Sequence, residues 1–315
     1  MIHPWERTLA NFEITAEQKE QLLEKGYVLL PGAIPSPLLK LWQDIAARRE
    51  SMALEAHGRG EQLHGACVVE DPVGPRLMRY DDLFATDAEA LLDLLSCPAL
   101  MAVARELCGR GAVPLQTDIL YKHQHPHPVI MWHQGAQHNR SHPYLNVGIY
   151  LDDAPEGDGC LRYVPGTQHR LQDMAALSEA HGWEIPGVVE QGARAGDILV
   201  QDMMILHGSQ PKRSSGVRRT IYVEYRPSMA IRESGEQSEL WAHLRERWMA
   251  LVVGRAEQGD WPEDWRRELP DDLDTVEKEF AALAARREAP GPSVYAELPV
   301  EHPDYPVPAD LRLST

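Results

Sequence analysis

Cysteine is scarce in this chain of 315 residues: Cys67, Cys97, Cys108 and Cys160 are the whole complement, and no two form a CxxC pair. That excludes a zinc ribbon or a disulfide framework, so reduced and mostly buried thiols are expected. Long apolar sequence is also missing, with no run near the roughly 18 residues of a membrane span. The opening MIHPWERTLANFEI lacks the basic-then-apolar plan of a signal peptide, which points to a cytoplasmic protein. Basic charge is in deficit, 31 Lys and Arg against 48 Asp and Glu, a net −17 with no basic run to offset it. A nucleic-acid polymer would be repelled, and docking onto an acidic carrier protein is disfavoured for the same reason. Internal repeats are absent, and the balance of 43% hydrophobic and 25% charged residues is that of an ordinary globular enzyme.

Present instead are clear start and stop signals. Thr15-Ala16-Glu17-Gln18 is a capping box that predicts a helix to about Lys25, stopped by Gly26 and followed by a buried strand, Tyr27 to Leu30. Ser36-Pro37 predicts a second helix, with Ser36 as its cap, carrying Leu38, Leu41, Trp42 and Ile45 on one face. Glycines and prolines break residues 51–87 into expected loops with one or two short strands, a candidate lid. Residues 88–108 predict two helices divided at Cys97-Pro98.

From residue 114 the period becomes that of strands. LQTDILYK, YLNVGIYLDD, CLRYV, VVEQ, DILVQ and RRTIYVEY recur at short intervals with turns between, interrupted by a short helix within 171–181. This spacing predicts a mainly β fold with flanking helices, built on a double-stranded β-helix or jelly-roll core. The expected organisation is one structural domain, with an N-terminal helical scaffold and lid at 1–110, a catalytic jelly roll at 111–228, and C-terminal helices with a proline-rich tail at 229–315. His123, His125 and His127 form a His-x-His-x-His run that reads as a loop, with a place at the pocket rim left open. Trp241, Trp248, Trp261 and Trp265 on the C-terminal helices are assigned to packing against the barrel, with a substrate cage as the other reading.

Two histidines lie in the strand region, His133 in WHQGAQHN and His207 in LHGS, where distant strands of a jelly roll could bring both to one metal. Imidazole suits Fe(II), and an iron oxygenase normally adds one carboxylate to two histidines on one face. Here His133-x-Gly135 has glycine where that carboxylate would stand.

These segments resemble the phytanoyl-CoA dioxygenase family of Fe(II)/2-oxoglutarate enzymes over residues 12–227, through EQLLEKGYVLLPG, WHQ, GDGCLRYVPGTQHR and HGS followed by GVRR. The resemblance implies His133 and His207 as metal ligands. It implies Arg218 as the partner of the distal carboxylate of 2-oxoglutarate, a task suited to a planar guanidinium. Ser209 and Thr220 would assist, Lys122 would lie near the same cosubstrate, and Arg219 would point away.

Gly135 departs from the ordinary family pattern of Asp or Glu and is similar to the halogenase branch, in which chloride takes the vacated position on iron. The implied function is chlorination of an unactivated C–H of a free small molecule, using Fe(II), 2-oxoglutarate, chloride and O₂. Hydroxylation, with water or a carboxylate borrowed from Asp152, Asp153, Asp158 or Asp202, is the alternative, and a non-catalytic jelly roll is a third. Sequence proximity marks Trp132, Gln137, His138, Asn139 and Arg140 as candidate substrate residues. Arg140, Arg162, Arg194 and Arg213 flank the motifs and make a deoxyadenosine-type nucleotide the first substrate candidate, with a free amino acid the second.

Overall fold

The structure is a computed structural model and describes residues 12–125, 130–257 and 259–288, with the backbone of 293–294. Helix α1 (Ala16–Lys25) begins on the expected box: the Thr15 hydroxyl accepts from Gln18 N at 3.2 Å, and Gln18 Oε1 accepts from Thr15 N at 2.9 Å. Gly26, at φ 84°, ends it in the left-handed region before β1 (Tyr27–Leu30). Helix α2 (Ser36–Gly58) departs from expectation by including Ser36, whose side chain caps nothing, and by running on to Gly58. Ala53 and Ala56 extend its buried stripe, so packing sustains helix where the local residues alone favour a loop.

A hairpin follows, β2 (Ala66–Asp71) and β3 (Gly74–Asp81), then α3 (Leu83–Thr86), α4 (Ala88–Leu95) and α5 (Pro98–Ala102). The break at Cys97-Pro98 is where the sequence places it, and α5 passes into a π-helical turn, Val103–Cys108. The strand region contains β4 (Ala112–His123), β5 (Ile130–Ala136), β6 (Leu145–Tyr150) and β7 (Leu161–Val164). After α6 (Met174–His181) come β8 (Val189–Gln191), β9 (Ile198–Asp202), β10 (Leu206–Ser209) and β11 (Val217–Pro227). The C-terminal helices are α7 (Ser228–Ser234), α8 (Glu239–Arg255), α9 (Glu263–Arg266) and α10 (Val276–Ala285), before β12 (Ser293–Val294).

The described strands form two antiparallel sheets. One has the order β1-β9-β6-β11-β4-β3-β2, and the other β12-β5-β10-β7-β8. They make the jelly-roll core. The larger sheet is covered on its outer side by helices: Val28, Trp42, Leu77, Ile119, Val147, Val200 and Ile221 share one buried cluster with residues of α4 and α8. Alternation along the strands then turns the opposite side chains toward the smaller sheet, and this inner face carries the polar residues.

His123 ends β4, where its Nε2 stands 3.1 Å from Leu77 O and 3.3 Å from Glu50 Oε1, a packing role away from the cavity described below. His127 lies outside the described residues, as does most of the proline-rich tail. Trp248 is fully buried against Phe84 and Phe280, and Trp261 packs edge-on to Trp265. Trp241 is buried too, but it also faces the cavity. The cysteines are unpaired; Cys97, Cys108 and Cys160 are buried and Cys67 is exposed. Among the described residues no helix is long and apolar enough to cross a membrane.

Candidate active site

Strands β5 and β10 pair antiparallel with His133 directly opposite His207, and the two imidazole centroids are 4.0 Å apart. Each ring is held by its own strand: His133 Nδ1 is 2.9 Å from Met131 O, and His207 Nδ1 is 2.8 Å from Ile205 O. A carbonyl only accepts, so both protons sit on Nδ1 and both Nε2 atoms present lone pairs. Burial lowers the pKa of His133. Burial, and then the neighbouring His133, hold His207 well below the ordinary histidine value. The pair is therefore neutral and shaped to donate two nitrogens to one cation.

Gln201, buried on β9, places its Nε2 3.0 Å from His207 Nε2. Tyr163 O–H donates to the other end of the amide, Oε1. The orientation is set by the network, because a lone pair on His207 Nε2 requires the N–H end of the amide to face it, and a cation taking that lone pair would displace this N–H. Its sequence neighbours give Gln201 no signal; only the packing of β9, in the larger sheet, across from β10, in the smaller, brings it to the histidine.

Gly135 lies two residues beyond His133 on β5, with its N–H donating to Met203 O at 2.7 Å. A Cβ built there would stand 2.7 Å from Met203 O and 3.0 Å from Met203 Cε. The space that the sequence leaves open is thus occupied in the Cβ direction by Met203 main chain, and any side chain at this position must displace it. No acid compensates: among the described residues no group of three His, Cys, Asp or Glu side chains is arranged to hold a metal. Asp152 is paired with Arg219, Asp158 with Lys212 and Ser214, and Asp202 with Arg140 and the Met204 N–H. Asp153 accepts from Ala195 N.

A second polar cluster stands on the inward face of β11. Arg218 is 2% exposed; its Nη1 donates to Gly159 O at 2.9 Å, its Cζ lies 5.8 Å from the Tyr150 ring centroid, and its Nε has no hydrogen-bond partner. Lys122, its register partner on β4, is also buried and donates to Ser209 Oγ at 2.7 Å. Burial, and then the charge of Arg218, push the Lys122 ammonium well down. Thr220 Oγ1 and Tyr150 Oη are buried without partners beside them. A buried guanidinium, a buried lysine amine and two unused hydroxyls with no paired acid fit a bound carboxylate, whose charge would also restore the ammonium form of Lys122. Gly159 is required at this corner: its φ is +75°, and a Cβ would meet Lys122 Cε at 2.8 Å and Gln210 O at 2.9 Å. Arg219 faces the other side of the sheet and makes a two-pronged pair with Asp152.

A cavity of about 590 Å³ opens from the histidines, with Gly135 and Met203 beside them, Thr117, Asn146 and Tyr222 along its wall, and Arg226, Trp241 and Arg245 beyond. Trp132, Gln137, His138, Asn139 and Arg140 do not line it. Trp132 donates to Gly182 O and packs on Trp183 in a separate cluster; Gln137, His138 and Asn139 line a neighbouring groove, and Arg140 is paired with Asp202. Sequence proximity to His133 misplaces them because the chain leaves the sheet after Ala136. The flanking arginines are elsewhere as well: Arg162 pairs with Glu184, and Arg213 donates to Gly157 O. Thr117 and Asn146 were detectable only as polar residues on the buried face of a strand, and Arg245, on α8, had no local signal.

Three outcomes follow from this geometry. Replacing Arg218 with Met is expected to weaken carboxylate binding at this cluster by roughly 10- to 100-fold, the worth of a charge-assisted contact, as measured by titration with a dicarboxylate. Gly135→Ala is expected to destabilise the fold by about 1–3 kcal/mol in urea unfolding, through overpacking against Met203. For chelator-treated protein, the two histidines stay neutral when folded but take up protons when unfolded below roughly pH 6.5, so stability is full above that pH. The melting temperature should fall as the pH is lowered through that value, and less so in a His133→Asn, His207→Asn double variant.

A family model for phytanoyl-CoA dioxygenase (PhyH) matches residues 22–220. L-proline trans-4-hydroxylase of Streptomyces griseoviridis is 28% identical over 174 residues, 50% of this chain, and the chain spans 58% of that enzyme's length. Among solved structures, AviO1 from Streptomyces viridochromogenes Tue57 is similar with a TM-score of 0.57 and 26% identity, covering 69% of this chain and 96% of AviO1. The fold is shared with EctD from S. alaskensis with bound Fe, at 18% identity, TM-score 0.56, and 69% and 78% coverage of the two chains. It is shared likewise with HygX from Streptomyces hygroscopicus with nickel and 2-oxoglutarate bound, at 18% identity, TM-score 0.55, and 69% and 88% coverage. On this footing the chain belongs to the phytanoyl-CoA dioxygenase (PhyH) family.

Proposed function

We propose that this protein oxidises an unactivated C–H of a free small molecule, with Fe(II) between the Nε2 atoms of His133 and His207 and 2-oxoglutarate against Arg218, Ser209, Thr220 and Lys122. The iron supplies the coupling of O₂ reduction and 2-oxoglutarate decarboxylation to oxidation of the substrate. The protein's own part is positional. Backbone carbonyls hold both imidazoles in the ligating tautomer, Arg218 with its neighbours orients the cosubstrate, and the cavity presents one carbon to the metal while excluding water.

The finer reading is chlorination, and it is carried by Gly135: two histidines with no acid among their described neighbours leave a coordination position for an anion. The balance is 2-oxoglutarate, O₂, chloride, a proton and R–H giving succinate, CO₂, water and R–Cl. Hydroxylation is the second reading, favoured by the proline hydroxylase relative, and its products are succinate, CO₂ and R–OH. A deoxyadenosine-type nucleotide is the first substrate to try and a free amino acid the second.

Mass analysis of products formed with Fe(II), 2-oxoglutarate and O₂, with chloride present or omitted, separates the two readings. Chlorination is expected to appear only with chloride and to be lost in Gly135→Asp, which must also shift Met203. Hydroxylated product of unchanged yield without chloride would establish the second reading.

A further inference from the structure

Five arginines line the cavity, and three of them have acidic partners: Arg79 with Asp81, Arg286 with Glu288, and Arg287 with Asp82. Arg226 and Arg245 are the exceptions. Arg226 is 5% exposed at the end of β11, with its Cζ 5.0 Å from the Tyr144 ring centroid and its Nε unpartnered. Arg245 is 4% exposed on α8; it donates from Nε to Leu115 O at 3.1 Å, stacks with Cζ 3.9 Å from the Trp241 ring centroid, and leaves Nη1 unpartnered. The two approach the same stretch of β4, since Arg226 is in register with Val113, two residues from Leu115. Trp241 Nε1 adds a third buried donor without a partner.

Nearby acids do not neutralise this wall. Glu224 is turned to Tyr144 Oη and Gln116 and makes no ion pair with Arg226 or Arg245, and burial raises its pKa toward the neutral acid. Glu288, whose charge reaches Arg245, is bound to Ser238 and Arg286. Burial pushes the Arg245 guanidinium down to about 9, the mark of a charge with little compensation. Aromatic stacking offsets part of the cost of burying two cations on one wall, but it leaves their N–H groups unsatisfied. An anion would satisfy them. It would not be the cosubstrate, because Arg218 and Arg226 are eight positions apart on β11, roughly 26 Å in extended chain.

We propose that Arg226 and Arg245 form an anion subsite in the cavity and that the substrate carries an acidic group, a carboxylate or a phosphate, which docks there to set which carbon faces the histidines. The proposal rests on the reading of this cavity as the substrate site. Its test is titration of full-length protein, saturated with 2-oxoglutarate under anaerobic conditions, with inorganic phosphate and separately with acetate at constant ionic strength. The readout is the emission of Trp241, which underlies Arg245, identified by its loss in Trp241→Phe. A saturable change with phosphate assigns a phosphate-bearing substrate, and one with acetate alone assigns a carboxylate. The affinity should drop roughly 10- to 100-fold in Arg226→Gln and in Arg245→Gln, and less in Arg245→Lys, while 2-oxoglutarate affinity stays unchanged as a check on folding. No saturable response to either anion, or a response indifferent to both arginines, would overturn the proposal. Failure of the iron and 2-oxoglutarate reading would appear separately, as absent cosubstrate binding with the phosphate or acetate response intact.

Discussion

The site depends on one register, the antiparallel pairing that sets His133 opposite His207. Everything at the metal-facing end follows from it. The two Nδ1–H groups reach carbonyls of their own strands, so neither ring needs a second residue to choose its tautomer. A slip by one residue would turn each imidazole to the opposite face of the sheet. The hydrogen bonds that stabilise the small sheet are therefore the same ones that aim its two imidazoles.

Uncompensated positive charge is the second organising feature, and β11 carries it twice on its inward face. Arg218 with Lys122 lies near one end, and Arg226 with Arg245 near the other. Arg219, on the outward face, is fully paired with Asp152. The contrast is informative because the outward arginine shows that the chain supplies acids where it needs them. Buried cations without a paired acid are what an enclosed site for anionic molecules requires.

Gly135 illustrates how a sequence motif and its surroundings answer different questions. The missing carboxylate was visible from the two residues after His133. That the position is closed to any Cβ was not, since the obstruction is Met203 O, brought there by the turn between β9 and β10. The chain is therefore adapted to glycine at this point by main-chain packing, and restoring an acid involves more than one residue.

The jelly roll, the flanking helices and the histidine pair were legible in the sequence because each is marked by local periodicity, a cap, a turn or a strand position, and Arg218 was marked by the family resemblance. Strand alternation also separated Arg218 from Arg219. The tertiary structure alone decided which polar side chains share the cavity. Asn146, Arg226 and Arg245 enter through registers between strands distant in sequence and through the seating of α8 against β4, whereas Trp132, Gln137 and Arg140, adjacent to His133 along the chain, turn away from it. Local sequence sets the period of an element and so its faces. Only the pairing of elements determines which faces meet.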